Sequence, residues 1–558
     1  MRKSLRYSFF IIHVLVNFDI TLLNIRRIFN SLRKHEYSKD YLEQIHSIIY
    51  SDLSEKRRST VNSKMILLDY FPIPHWIGLN SIAARAIQKK MGSEIFAFGF
   101  NRPFKNTKDL YRAFGISRHL DIKINFQQRA YLWKLYKAIV QSISNSEEVF
   151  ELELDNIKIG IPIYESILRS GRITVDINDS ETYKQIYRGL LQYVYFRDLF
   201  LENRVEAVLV SHDCYIGPGL LDHMAHRFGI PSINVNPFEI NLPYKPQQLC
   251  RRFERYREYF RAIPFEIRDL GVAKAKSDLS LRLSGKIGIK MGYQEQSAFE
   301  SINLPNQFER NANLNVLVAT HDFYDNPHAY GTMLFHDFSI WLEYLNKVAS
   351  ETNYNWYLKC HKDSSLQQRK EIEEFSLKYP RFKVIEPLVS FHQLANEGLD
   401  FVLTCYGSVG HELPLMGINV LNSSYNPHVA YDFNLHADSI ANYRNLILNL
   451  EKLSGRKIPI REVYEFFYVH HYLMWPDDYI FPSYEDYIKE SNSNLQSDSS
   501  LKYIIGNYEF LKKNVNIKLR EAIQDRRVFS VEKILEGSKQ VKYPVTVQNI
   551  DFFDAFHD

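Results

Sequence analysis

The stretch Asp400 to Asn422, DFVLTCYGSVGHELPLMGINVLN, decides how the rest of the chain is read. Phe401-Val402-Leu403 has the length and character of a buried parallel strand. The pattern breaks at Gly407-Ser408, continues as a helix-like segment to Gly417, and restarts as a strand at Ile418-Asn419-Val420-Leu421. The unit is therefore βαβ. A strand feeding a Gly/Ser turn and then a helix presents backbone N–H groups at the helix N-terminus, which suits an anion. Ser408 is placed to cap that helix, and Glu412, one turn on, is expected to point toward whatever the turn holds. A Rossmann-type crossover with a glycine kept for close packing reads the same way.

The same alternation extends on both sides. Upstream lie strand Asn315 to Ala319, a helix Met333 to Ser350, strand Trp356 to Cys360, a helix Ser365 to Tyr379, strand Phe382 to Ile385 and a short helix Phe391 to Asn396; helix Asp438 to Leu450 follows. That is the density of one Rossmann-like domain. A second alternation runs from Lys64 to Pro237. Met65 to Leu68, Glu94 to Phe98, Val205 to Ser211 and Ile230 to Val235 read as strands; Ser81 to Met91 and Leu220 to Phe228 read as helices. Asp69 to Asn80 reads as turns and Phe100 to Arg204 as mostly helical.

The expected organisation is α/β, with two Rossmann-like doubly wound domains facing a cleft and helical additions at both ends. The expected divisions are a helical segment at 1–60, a first domain at 61–240, a basic connection at 241–313, a second domain at 314–454 and a helical extension at 455–558. In the connection, Arg251, Arg252, Arg255, Arg257 and Arg261 read first as a solvated helix face and second as a phosphate or acidic-glycan contact.

With 558 residues the chain is too long for one core, and 45% hydrophobic with 24% charged residues is ordinary for a globular protein. A net charge of +4 argues against a general nucleic-acid binder. Cys214, Cys250, Cys360 and Cys405 lack paired spacing, so neither a disulfide framework nor a zinc site is expected, and a cytoplasmic location fits. No metal and no cofactor is expected. The apolar run near the N-terminus is cut by His13, Asn17 and Asp19, short of the ~20 residues a membrane span needs. Ile11, Leu15, Phe18, Leu22, Ile25, Phe29 and Leu32 instead form the stripe of an amphipathic helix. Its stripe packs on the protein's own body, or serves a membrane-surface or dimer role.

In an open parallel sheet, ligands sit beyond the carboxyl ends of the strands. In the second domain those ends carry His321, Asp322, His361 and the Gly407-Ser408 turn; in the first they carry Asp69, His75, His212 and Asp213.

YGSVGHELPLMGINVL resembles the G-[ST]-x-G-x-E-x-x-x-x-G-x-P-V stretch of GT-B glycosyltransferases of bacterial capsule and surface polysaccharide synthesis, including Kdo-transferase-like proteins, with Asn419 in place of Pro. ATHDFYDNPHAYG, from Ala319, resembles their H-x-F-x-D-x-x-H-x-x-G signature through His321, Asp325, His328 and Gly331. WYLKCHK, from Trp356, resembles W-x-x-K-x-H-P, with Lys362 in place of Pro. Leu281 to Tyr293 resembles a connecting stretch of the same proteins.

The resemblance implies a metal-independent glycosyltransferase acting on a nucleotide-sugar donor, CMP-linked or UDP-linked, and a surface-polysaccharide or lipid-linked glycan acceptor. It implies that His321, Asp325, His328, Lys359, His361, Gly407, Ser408, Gly410 and Glu412 bind the donor. The general base is expected among Asp213, His75 and Asp69, with Asp213 preferred on position. A nucleotide-sugar 2-epimerase, a polyol-phosphate transferase and a non-catalytic glycan-binding scaffold are the alternatives that share the fold.

Overall fold

The computed structural model describes residues 37–51, 64–69, 73–99, 105–202, 204–237, 240–242, 253–287, 297–300, 304–328, 330–331, 333–423, 425–473 and 498–535. The expected amphipathic helix at the N-terminus lies outside them. Two compact units divide the chain: Met1–Ser170, Val175–Cys250 and Asp477–Asp558 form the first, and Gly171–Thr174 with Arg251–Pro476 form the second.

In the first unit, β1 (Met65–Asp69), β2 (Glu94–Gly99) and β3 (Arg118–Asp121) precede a small hairpin of β4 (Glu153–Leu154) and β5 (Ile157–Lys158). Then come β6 (Val205–Val210), β7 (Ser232–Val235) and β8 (Ile240–Asn241). The sheet order is β3-β2-β1-β6-β7-β8, parallel except for the β7–β8 pairing, so the order reverses between β1 and β6. Every residue of β1 is buried because successive side chains serve opposite faces. Ile66 and Leu68 pack among Ile82, Ile87, Leu501 and Leu519, whereas Met65 and Leu67 pack among Leu132, Tyr136 and Leu190. The helices at Asp498–Gly506 and Tyr508–Leu535 thus return to cover one face of this sheet.

One expectation is corrected here. The helix after β1 spans Pro74–Met91, so Pro74 to Asn80 is helical and not turns. Proline in the first turn forfeits no hydrogen bond, because N–H groups there have no helical partner. Gly92 ends the helix at φ 72°, its N–H bonded to the Gln88 carbonyl. Within the span expected to be mostly helical, β3 and the β4–β5 hairpin are extended.

The second unit is built on β9 (Asn315–Ala319), β10 (Asn355–Lys359), β11 (Phe382–Ile385), β12 (Phe401–Thr404), β13 (Asn419–Asn422) and β14 (Leu435–His436). All pair parallel, in the order β11-β10-β9-β12-β13-β14, with the reversal between β9 and β12. Val316 and Val318 face one apolar cluster with Trp341 and Leu403; Leu317 faces the other, with Tyr357 and Val402. Both sheets are therefore doubly wound. The helix expected from Met333 starts at Phe338, capped by the Asp337 carboxylate, which accepts from the Ile340 N–H at 2.7 Å. Arg257 is no solvated arginine: its guanidinium donates to both Glu462 carboxylate oxygens, at 2.7 and 2.9 Å, and to the Ala430 carbonyl. Among the described residues no helix is long and apolar enough to cross a membrane.

Candidate functional site

The carboxyl ends of β10, β9 and β12 are neighbours at the point where the second sheet's order reverses, so the residues that follow these strands converge. His321, just after β9, reaches across to β12. Its Nε2 accepts from the Thr404 hydroxyl at 3.0 Å and from the Cys405 N–H at 3.2 Å, which leaves the proton on Nδ1. The ring stacks on Phe338 at 4.9 Å, and burial, with nearby His361, lowers its pKa to about 3. His321 is thus a neutral bridge between two strand ends, not an imidazole held out toward a phosphate.

His361, just after β10, has a different setting. Its side chain is 45% exposed, and Nδ1 accepts from the Asp363 N–H at 3.1 Å. That bond puts the neutral ring's proton on Nε2, which makes Nε2 a hydrogen-bond donor.

The turn after β12 departs from the expected cap. Ser408 has helical φ and ψ and its side chain caps nothing; its hydroxyl donates instead to Glu412 at 3.2 Å. Pro414 shortens the helix to Val409–Glu412, and a 3₁₀ turn, Leu413–Met416, carries the chain to Gly417 at φ 80°. Four residues of α-helix make a weak dipole, so side chains carry the electrostatics here. Glu412 is buried and accepts from Arg282 Nε at 2.9 Å. One carboxylate oxygen is committed to that pair, and the other accepts from Ser408 at the turn.

Other expected donor ligands are likewise committed. Lys359 Nζ donates to the Pro387 carbonyl at 2.7 Å, and burial with Lys362 nearby lowers its pKa to about 7. His328 is buried against its own loop, Nε2 lying 3.3 Å from the His336 carbonyl. Gly410 is a packing glycine: a Cβ there would stand 2.6 Å from His428 Cε1. Asp325 is exposed, and Gly407 lies over Thr404 and His321, with 3.2 Å between a built Cβ and Thr404 Oγ1.

The first unit has its own polar cluster at the order reversal. Asp69, the last residue of β1, is buried, and its Oδ2 accepts from both the N–H and the hydroxyl of Ser211, just past β6. With the Ser211 proton on Asp69, His212 Nδ1–H donates to Ser211 Oγ at 2.9 Å. Trp76 stacks on His212 at 5.1 Å and 24°. Burial raises the Asp69 pKa to about 6. Asp213 sits half-buried in the following bend, ahead of Tyr215 at φ 66°, an uncommon conformation for a tyrosine. His75 is not at a strand end: it lies in the first turn of the Pro74–Met91 helix, buried, its pKa lowered to about 3 by that burial.

Sequence reasoning missed Arg282, Thr404 and Ser211. Each is recognised by a contact far along the chain, Arg282 to Glu412 across 130 residues and Ser211 to Asp69 across 142, and no local spacing announces it.

No family model matches the chain, and no curated protein matches it. Solved structures similar to it include the β-Kdo 2,4-transferase KpsC of Thermosulfurimonas dismutans, at 12% identity and a TM-score of 0.28, covering 48% of this chain and 84% of that one. A UDP-GlcNAc 2-epimerase from Neisseria meningitidis, bound to UDP-GlcNAc, is 12% identical with a TM-score of 0.22 over 72% of this chain and 97% of its own. A glycosyltransferase from Rickettsia africae is 8% identical with a TM-score of 0.24, over 81% and 99%. Likenesses this distant assign no activity.

Proposed function

We propose that the chain is a GT-B glycosyltransferase that moves a sugar from a nucleotide-activated donor to a cell-surface polysaccharide or lipid-linked glycan. The observation that carries this reading is the half-exposed His361, its Nδ1 taken by the Asp363 N–H, at a strand end beside the order reversal of the second sheet. Sugar transfer needs the departing phosphate neutralised and the acceptor hydroxyl relieved of its proton. His361 Nε2–H meets the first need by donating to a phosphate oxygen. His321, locked to Thr404 and Cys405, fixes the floor on which the donor rests. For the second need the first unit offers Asp213 and the Asp69–Ser211–His212 chain, which orients the His212 ring through its Nδ1. The motif resemblance supports the same assignment.

The test is chromatographic. The full chain is incubated with CMP-linked or UDP-linked sugars, with and without glycan extracted from the source cells. Nucleotide release that depends on the glycan supports transfer. Release without any acceptor, accompanied by an altered sugar, points to an epimerase instead.

A further inference from the structure

Asp69, Ser211 and His212 form a hydrogen-bonded chain at the order reversal of the first sheet, where the parallel neighbours β1 and β6 end. Both ends of the chain are fixed. Asp69 is buried, its backbone carbonyl accepts from the Tyr111 hydroxyl at 3.4 Å, and its Oδ2 accepts from the Ser211 N–H at 2.9 Å as well as from the Ser211 hydroxyl. At the other end Trp76, on the helix Pro74–Met91, stacks on the half-buried His212 ring. A serine hydroxyl carries one proton, and an ionised carboxylate can only accept. Burial raises the Asp69 pKa to about 6, so at pH 7.5 the carboxylate is ionised and the Ser211 proton is directed to it. Ser211 Oγ then offers only lone pairs to His212 Nδ1, 2.9 Å away. The imidazole is therefore the Nδ1–H tautomer, with its lone pair on Nε2.

We infer that His212 is the base that removes the acceptor's proton through Nε2, and that Asp69, acting through Ser211, is the positioning residue that sets its tautomer. This assignment rests on the transferase reading above and decides between the two bases offered there. As the acceptor's O–H bond breaks, its proton passes to Nε2. The acceptor oxygen bonds to the donor's anomeric carbon, and the bond from that carbon to the phosphate breaks, its electron pair leaving on the phosphate. The imidazolium so formed is balanced through Nδ1–H and Ser211 by the Asp69 carboxylate, which stays ionised. Asp213 is next in sequence and also half-buried. The ordinary pKa of an Asp carboxylate is about 3.9 and that of an imidazole about 6.5, so near neutral pH the imidazole is the stronger base.

The full chain labelled with ¹⁵N at histidine tests the tautomer at pH 7.5, with His212→Gln identifying the resonance. The expected two-bond ¹H–¹⁵N pattern for His212 is a protonated Nδ1 and an unprotonated Nε2. Ser211→Ala removes the acceptor for Nδ1–H and should shift the population toward Nε2–H. In the glycan-dependent nucleotide-release assay, His212→Gln should lower kcat ~100-fold or more, and further than Asp213→Asn does. Ser211→Ala and Asp69→Asn should each lower it about tenfold, with the KM for the donor within about twofold of the wild type. The wild-type spectrum and His212→Gln keep the test decisive should either buried-site variant fail to fold. An Nε2–H tautomer in the wild type, a tautomer unmoved by Ser211→Ala, or turnover that survives His212→Gln would overturn the assignment, while nucleotide release by the wild type keeps the transferase reading. If the wild type releases no nucleotide from any donor, the transferase reading falls and the base assignment falls with it, whatever the tautomer.

Discussion

Arg282 Nε lies 2.9 Å from Glu412 Oε1, and both side chains are buried, at 4% and 1% exposure. The guanidinium also donates to the Ile287 carbonyl and lies 5.6 Å from the centre of the Phe299 ring. The pair therefore ties the turn after β12 to the helix at Phe265–Leu283. Removing one partner strands a charge in the interior. Glu412→Gln or Arg282→Met should cost ~3–5 kcal/mol, and the double variant less than the sum. Urea denaturation of the three variants measures this. Additive losses would show that the two side chains stabilise the fold independently.

This prediction differs from the one the sequence supports. Read alone, Glu412 at the first helical turn after a strand is a surface ligand whose loss leaves the fold intact. Its burial depends on Arg282, 130 residues away, and local periodicity carries no record of that. The central strand Asn315–Ala319, buried over its first four residues, and Phe382–Ile385, an edge strand with Phe382 and Ile385 buried, emerge at the bounds read from the sequence. The edge strands Arg118–Asp121, Ile240–Asn241 and Leu435–His436 were not legible, because two to four residues with polar members show no period. In the candidate site, the strand-end positions of His321, His361 and Asp69 were readable. What those positions could not tell is which imidazole is committed to the fold and which faces outward.

Gly410→Ala should destabilise the second unit by ~1–3 kcal/mol. The new methyl would lie 2.6 Å from His428 Cε1 and 2.8 Å from Nδ1, and His428 is buried with Nε2 at 3.1 Å from His411 Nδ1. Chemical denaturation checks it; an unchanged midpoint would mean that the imidazole moves aside at no cost.

Acid should weaken the fold before it affects exposed carboxylates. Burial holds His75 and His321 near pKa 3, and His223, His328, His411 and His436 near 4, below the usual 6.5. As pH falls from about 6.5 toward 4, the unfolded chain takes up protons the native state refuses, so stability present above that window is lost within it. Asp69 opposes the trend: its folded pKa near 6 exceeds the usual 3.8, so its contribution is lost as pH rises from about 4 to 6. The urea midpoint should drop between pH 7 and 4.5, and more steeply in Asp69→Asn. A flat profile would contradict the neutral buried imidazoles.

Asp213→Asn should lower the turnover number by ~100-fold if that carboxylate removes the acceptor proton, with nucleotide affinity unchanged. His212→Gln serves as the parallel variant, because Ser211 and Trp76 hold that ring in place. Steady-state rates and calorimetry on both separate the two bases. Full turnover in both variants would remove the first unit's polar cluster from the reaction.

The most direct test of the account is a thermal-shift panel of CMP, CDP, UDP and GDP on the wild type and His361→Ala. Because His361 is 45% exposed and outside the apolar clusters, the variant should melt as the wild type does without ligand. At least one nucleotide should raise the wild-type melting temperature, and His361→Ala should lose most of that rise. No shift with any nucleotide, or a full shift retained without the imidazole, would contradict it.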